Sequence, residues 1–295
     1  MTNSGETRHA DDVPEGALLP FLVLTYGIAW GVFVLFALFP DEITRFMGEP
    51  SGSHPLFILA VYAPAISAFL LIGWHTGLAG IGRFLSRLLL VRMPAVWWTF
   101  LLIGIPVIFG LGAAIKGNLL PLSLPSGTTG ALIGALALTA VIGPVEEFGW
   151  RGLMQPVLQR RMAPLWAGLV VGLVWSLWHL PAFFLAGTPQ AAWGFLPFLV
   201  GTTALSLILT VMFNAARGSL LVAALFHYQM NNPLWPDAQP YDTIPFVLAA
   251  LVVVGLNRDS MLRRDGGVTT IVPAADADDR EGVEADRGAV SFPSS

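Results

Sequence analysis

Six polar residues set among apolar segments have the types and spacing that amide hydrolysis requires. Glu146 and Glu147 are adjacent, with Arg151 four residues after the second; His179 lies on the next apolar segment, and His227 and Asn231 stand four apart on a later one. Of the 19 acidic residues, only Glu146 and Glu147 fall inside an apolar run of membrane length, ALIGALALTAVIGPVEEFGWRG. An ionisable group at bilayer depth costs at least about 2.5–3.5 kcal/mol on insertion scales, so an adjacent pair reads by default as a functional site. On a helix Glu147 and Arg151 share a face and can pair. Glu146, about 100° around the axis, is left without that partner. Hydrolysis needs an activated water and a donor for the developing oxyanion. Glu146, assisted by His179, would take the proton from water, and His227 with Asn231 would serve the oxyanion. The same residues allow a second arrangement. Glu146, His179 and His227 form a two-histidine, one-carboxylate set of the kind that binds catalytic zinc, with Glu147 or another nearby group acting on the metal-bound water. There is no HExxH on one helix to favour the metal, and the sequence leaves both mechanisms open.

Each residue also has a structural reading. A Glu–Arg pair at helical spacing is often only a bridge, and a lone intramembrane histidine is often a packing residue. Asn231 could cap its helix ahead of Asn232-Pro233, and Trp175 and Trp178 read as packing or interfacial residues. Co-occurrence shifts the balance. Of five histidines, His179 and His227 alone lie well within apolar spans, whereas His9 is in a tail and His54 and His75 are at or near span ends. Counted from the helix ends at 1.5 Å per residue, Glu146, His179 and His227 fall at depths of roughly 15–24 Å, compatible with one level. Pro144, which removes a backbone donor, predicts a kink just before the glutamates.

The elements that must position these groups are membrane helices. Hydrophobic residues make up 55% of the 295, charged residues 12%, and the mean hydropathy is +0.70, which excludes an ordinary soluble domain. The expected fold class is all-α: a polytopic helical membrane protein of about eight transmembrane helices around a central polar site. The apolar runs are 17–39, 55–75, 95–115, 129–153, 163–186, 194–214, 217–231 and 243–257, most of them about 20 residues and so long enough to cross about 30 Å of hydrocarbon. The last two are short.

Arginine and lysine set the orientation. All 15 except Arg45 and Lys116 fall on the side that also carries both termini, so both termini are expected in the cytoplasm of a multi-pass protein of the cell membrane. Trp74, Trp97 and Trp98 at one set of helix ends, and Trp193 and Trp235 at the other, fit interfacial anchors. The first apolar run is longer than a signal-peptide core and reads as a retained helix. The domain expectation is a cytoplasmic tail over 1–16, a transmembrane domain over 17–257 with its motif core at 129–231, and an acidic, disordered tail over 258–295. With no cysteine, disulfides and thiolate chemistry are excluded.

The order EExxxR, aromatic-xxx-His, HxxxN resembles the CPBP family of CAAX proteases and bacteriocin-processing enzymes, also called Abi. The resemblance covers residues 129–231; the first three helices match only in being apolar. It implies an intramembrane endopeptidase of about eight helices. Glu146 and His179 would activate water, His227 and Asn231 would stabilise the oxyanion, and Glu147 with Arg151 would support the site. The family's usual Phe-xxx-His reads Trp175…His179 here. The expected partners are membrane lipid and a peptide or lipidated protein substrate, prenylated chains included, with no nucleic acid; a divalent metal, zinc, is the one cofactor left open. Cytoplasmic termini and a short seventh helix fit a site facing the cytoplasm. Two rival readings are an ion- or proton-coupled transporter, against which the lack of visible repeats counts, and a non-catalytic scaffold of the bacteriocin-immunity kind.

Overall fold

The computed structural model describes residues 12–119 and 129–275, and all regular structure among them is helical. After a 3-10 turn at Glu15–Ala17 come α1 (Leu18–Leu38), the short α2 (Pro40–Met47) and α3 (Pro55–Ser86), which continues past the expected end at 75 through a break at Gly77. Next are α4 (Ala95–Thr99), a π-helical turn at Phe100–Gly104, and α5 (Ile105–Lys116), which together make one apolar rod. The fourth span is assembled from pieces: α6 (Thr129–Val141), a 3-10 turn at Pro144–Glu146, α7 (Glu147–Gly149), a π-helical turn at Trp150–Met154 and α8 (Gln155–Gln159). The chain closes with α9 (Pro164–Trp178), α10 (Phe195–Ala215), α11 (Leu220–Met230), α12 (Thr243–Leu256) and α13 (Arg258–Leu262).

Among the described residues, six helical stretches are long and apolar enough to cross a membrane, consistent with a multi-pass membrane protein. The seventh and eighth expected spans are present as α11 and α12, but at 11 and 14 residues they are shorter than a full crossing. Two apolar cores hold the bundle. One joins α1, α3, α9 and the stretch Trp150–Leu158; the other joins the α4–α5 rod with α10, α11 and α12. Helices within lipid gain little from hydrophobicity and pack through small residues instead. At α9 against α10, a Cβ on Gly172 would sit 2.8 Å from the Thr203 backbone, and Ser206 Oγ donates to the Gly168 carbonyl at 2.8 Å.

The tail departs from expectation. Disorder was expected from residue 258, yet 258–275 fold against the arginine-rich end of the bundle. Asp12 accepts from the backbone N–H of Ile271 (3.0 Å) and Val272 (2.9 Å) and is held by Arg160 at 2.7 Å. Arg87, buried, donates to the carbonyls of Gly218, Gly152 and Ile271. Ile271 and Val272 are themselves buried. A short apolar run among polar residues becomes ordered through backbone bonds to distant side chains, a signal that local composition does not carry. The acidic stretch expected to be disordered beyond 275 lies outside the described residues.

Candidate active site

The fourth span breaks where the sequence requires it. Pro144 has no N–H to donate, and Gly143 adopts φ +93°, a conformation that only glycine takes without strain. The chain therefore re-enters the helix through a 3-10 turn, and Glu146 and Glu147 straddle the re-entry. The π-helical turn that follows is of a kind frequent at functional sites.

Glu146 is 3% exposed. It stands apart from the Arg151 pair, as its position on the helix predicts, but it is not free. Its Oε2 accepts the indole N–H of Trp175 at 2.8 Å and that of Trp150 at 3.3 Å. Both donors lie one helical turn from a motif residue, Trp150 four after Glu146 and Trp175 four before His179. Trp175, expected from the sequence as a packing or interfacial residue, is thus a donor to the glutamate, and Trp150 is a second. Oε1 is left for other partners.

Glu147 and Arg151 do pair, with Oε2 3.2 Å from Nη1, and the guanidinium lies 4.9 Å from the centre of the Trp175 ring. The bridge has a further partner. Glu147 Oε1 lies 2.7 Å from His227 Nδ1, so Glu147 joins the fourth span to α11. A carboxylate only accepts, hence Nδ1 carries the proton and His227 turns Nε2 away from it.

His179 is fixed by the same logic. Its Nδ1 is 2.9 Å from the Trp175 carbonyl. A carbonyl only accepts, so Nδ1 is protonated and the neutral ring keeps its lone pair on Nε2. The ring is packed edge-on against Trp178 and Phe198, with centroids at 4.7 and 5.1 Å. Asn231 ends α11 at its C-cap. A Cβ placed on Gly143 would lie 2.5 Å from Asn231 Nδ2 and 3.1 Å from His227 Nε2. The two nitrogens thus crowd one point of backbone.

Glu146, His179, His227 and Asn231 all line one cavity of about 640 Å³. Among the described residues no three His, Cys, Asp or Glu side chains are grouped to hold a metal ion. One Glu146 oxygen is engaged by two N–H donors. The cavity is also lined by Gly52, by residues of the turn around Pro189–Trp193 and by the segment between α11 and α12.

Comparison with known proteins bears out the family resemblance. Residues 128–232 match the family model described as type II CAAX prenyl endopeptidase, Rce1-like, a stretch holding all six motif residues. The chain is 26% identical over 261 residues to CAAX prenyl protease 2 of Methanococcus maripaludis, covering 82% of this chain and 93% of that protein. It is 32% identical over 111 residues to lysostaphin resistance protein A of Staphylococcus aureus, covering 37% of this chain and 24% of that protein. Over residues 128–232 the chain is thus similar to the type II CAAX prenyl endopeptidases.

Proposed function

We propose that this chain, whose residues 128–232 form a domain of the Rce1-like type II CAAX prenyl endopeptidase family, is an intramembrane endopeptidase that cleaves a peptide bond with water activated by Glu146 and His179. The observation that carries the reading is the convergence of Glu146, His179, His227 and Asn231 on one cavity, the first three each held by a bond that leaves a second polar atom free.

Glu146 offers Oε1 and His179 offers the Nε2 lone pair, two acceptors for one water. As the proton leaves, the water oxygen attacks the scissile carbonyl carbon and the C=O π pair moves onto oxygen. Asn231 Nδ2 donates to that oxyanion. His227 donates through Nε2 in its imidazolium form, whose charge Glu147 balances while Arg151 balances Glu147. Collapse expels the amine, which takes the proton held by Glu146 and His179. Trp150 and Trp175 keep the glutamate aimed throughout.

The name of the archaeal relative points to a prenylated protein tail as substrate class, and a membrane-embedded cavity suits a lipidated chain. The arginine bias supports cytoplasmic termini in the cell membrane. Cleavage of a quenched prenylated peptide by detergent-purified protein tests the proposal. Activity should vanish in Glu146→Ala, His179→Ala and His227→Ala while membrane expression persists; wild-type turnover by any of the three removes that residue from the mechanism.

A further inference from the structure

The segment that starts at Asn231 ends at Asp242, which also lines the cavity and is 3% exposed. Its Oδ2 accepts from Gln239 Nε2 at 3.3 Å, while its Oδ1 is buried with no hydrogen-bond partner. A buried carboxylate without a partner cation is costly, and natural sites pair it. Burial pushes the Asp242 carboxyl up to about 6; Asp237 adds to the rise, and the local backbone amides and Lys116 oppose it. At neutral pH the group is therefore mostly charged and short of partners. Lys116 does not fill the gap, because its ammonium is engaged with Asp237 at 2.7 Å. Among the described residues, the cavity lining holds Glu146, Asp237 and Asp242 but no lysine or arginine. Nothing in the proposed hydrolysis uses Asp242.

We propose that Asp242 is a specificity site that receives the ammonium or guanidinium of a basic side chain in a substrate bound in this cavity. The idea rests on the endopeptidase reading, and its test separates the two. Binding is measured on Glu146→Gln protein in detergent, so that turnover plays no part. The probes are N-acetylated fluorescent prenylated peptides in which one lysine is walked along the chain and compared with norleucine at the same place. At one position lysine should bind about tenfold tighter than norleucine. Asp242→Asn should bring that ratio to one, and Asp242→Glu, which keeps the charge, should retain part of it. In otherwise wild-type protein, Asp242→Asn should raise KM for the lysine peptide with little change in kcat. No position favouring lysine, or a preference unchanged in Asp242→Asn, overturns the subsite. If lysine is preferred in binding but wild-type protein cleaves neither peptide, the subsite stands and the endopeptidase reading fails.

Discussion

The indole of Trp175 donates a 2.8 Å hydrogen bond to Glu146 Oε2 while its backbone carbonyl holds His179 Nδ1 at 2.9 Å. One residue on α9 thus orients both groups proposed to activate water, and its ring also lies 5.3 Å from that of His227.

Trp175→Phe tests the indole alone, because the backbone carbonyl and the aromatic ring remain. A lost hydrogen bond to a charged group is worth about 1.5–3 kcal/mol. The expected result is a fall of about ten- to a hundredfold in kcat, with KM and thermal stability little changed. Unchanged turnover would mean that Trp150 positions the glutamate unaided.

Gly143→Ala should cost activity more than folding. A side chain at φ +93° is strained by on the order of 1–3 kcal/mol, and its Cβ would fall 2.5 Å from Asn231 Nδ2. Displacing one oxyanion donor costs about 10²–10³ in kcat. Asn231→Ala should fall in the same range, and similar losses in the two variants would tie Gly143 to the amide it faces.

Arg151→Ala should act on stability first. It leaves Glu147 buried beside His227 with its Arg151 partner gone, a change worth about 3–5 kcal/mol, readable as a lower Tm and yield in detergent. Glu147→Gln combined with Arg151→Met should recover much of the Tm but not turnover, since His227 loses the carboxylate that orients it. Full recovery of both would reduce the trio to a structural bridge.

The chain has no cysteine, so single cysteines report sidedness cleanly. Asp237, which lines the cavity, and Arg264, on the arginine-rich face, are both exposed. A membrane-impermeant maleimide should label Asp237→Cys in intact cells and Arg264→Cys only after permeabilisation. The reverse pattern would overturn the orientation drawn from arginine counts.

Much of the site was legible because intramembrane charge is rare and costly. Glu146, Glu147, Arg151, His179 and His227 stand out against an apolar background, and helical spacing anticipated the Glu147–Arg151 pair. What spacing could not convey was contact across helices. Glu147 meets His227 80 residues away, and Trp175 reaches Glu146 from the next span; periodicity within one segment holds no sign of either. Pro144 announced a kink, but the positive φ that creates it belongs to Gly143. The eight apolar runs were readable as helices, yet their lengths were not: α3 runs on through the break at Gly77 to Ser86, and α11 has only 11 residues. The fold of 258–275 was missed for the same reason: its far end is held by Asp12, Arg87 and Arg160, remote in sequence.

The central claim is that Glu146 activates water in a site that this chain's own side chains complete. Its most direct test is cleavage of a prenylated peptide by wild-type and Glu146→Gln protein, each stripped with chelator and verified metal-free by elemental analysis. The expected result is turnover that persists in the stripped wild-type protein and is absent in Glu146→Gln. Activity lost on chelation and restored by stoichiometric zinc, or wild-type turnover by Glu146→Gln, would contradict it.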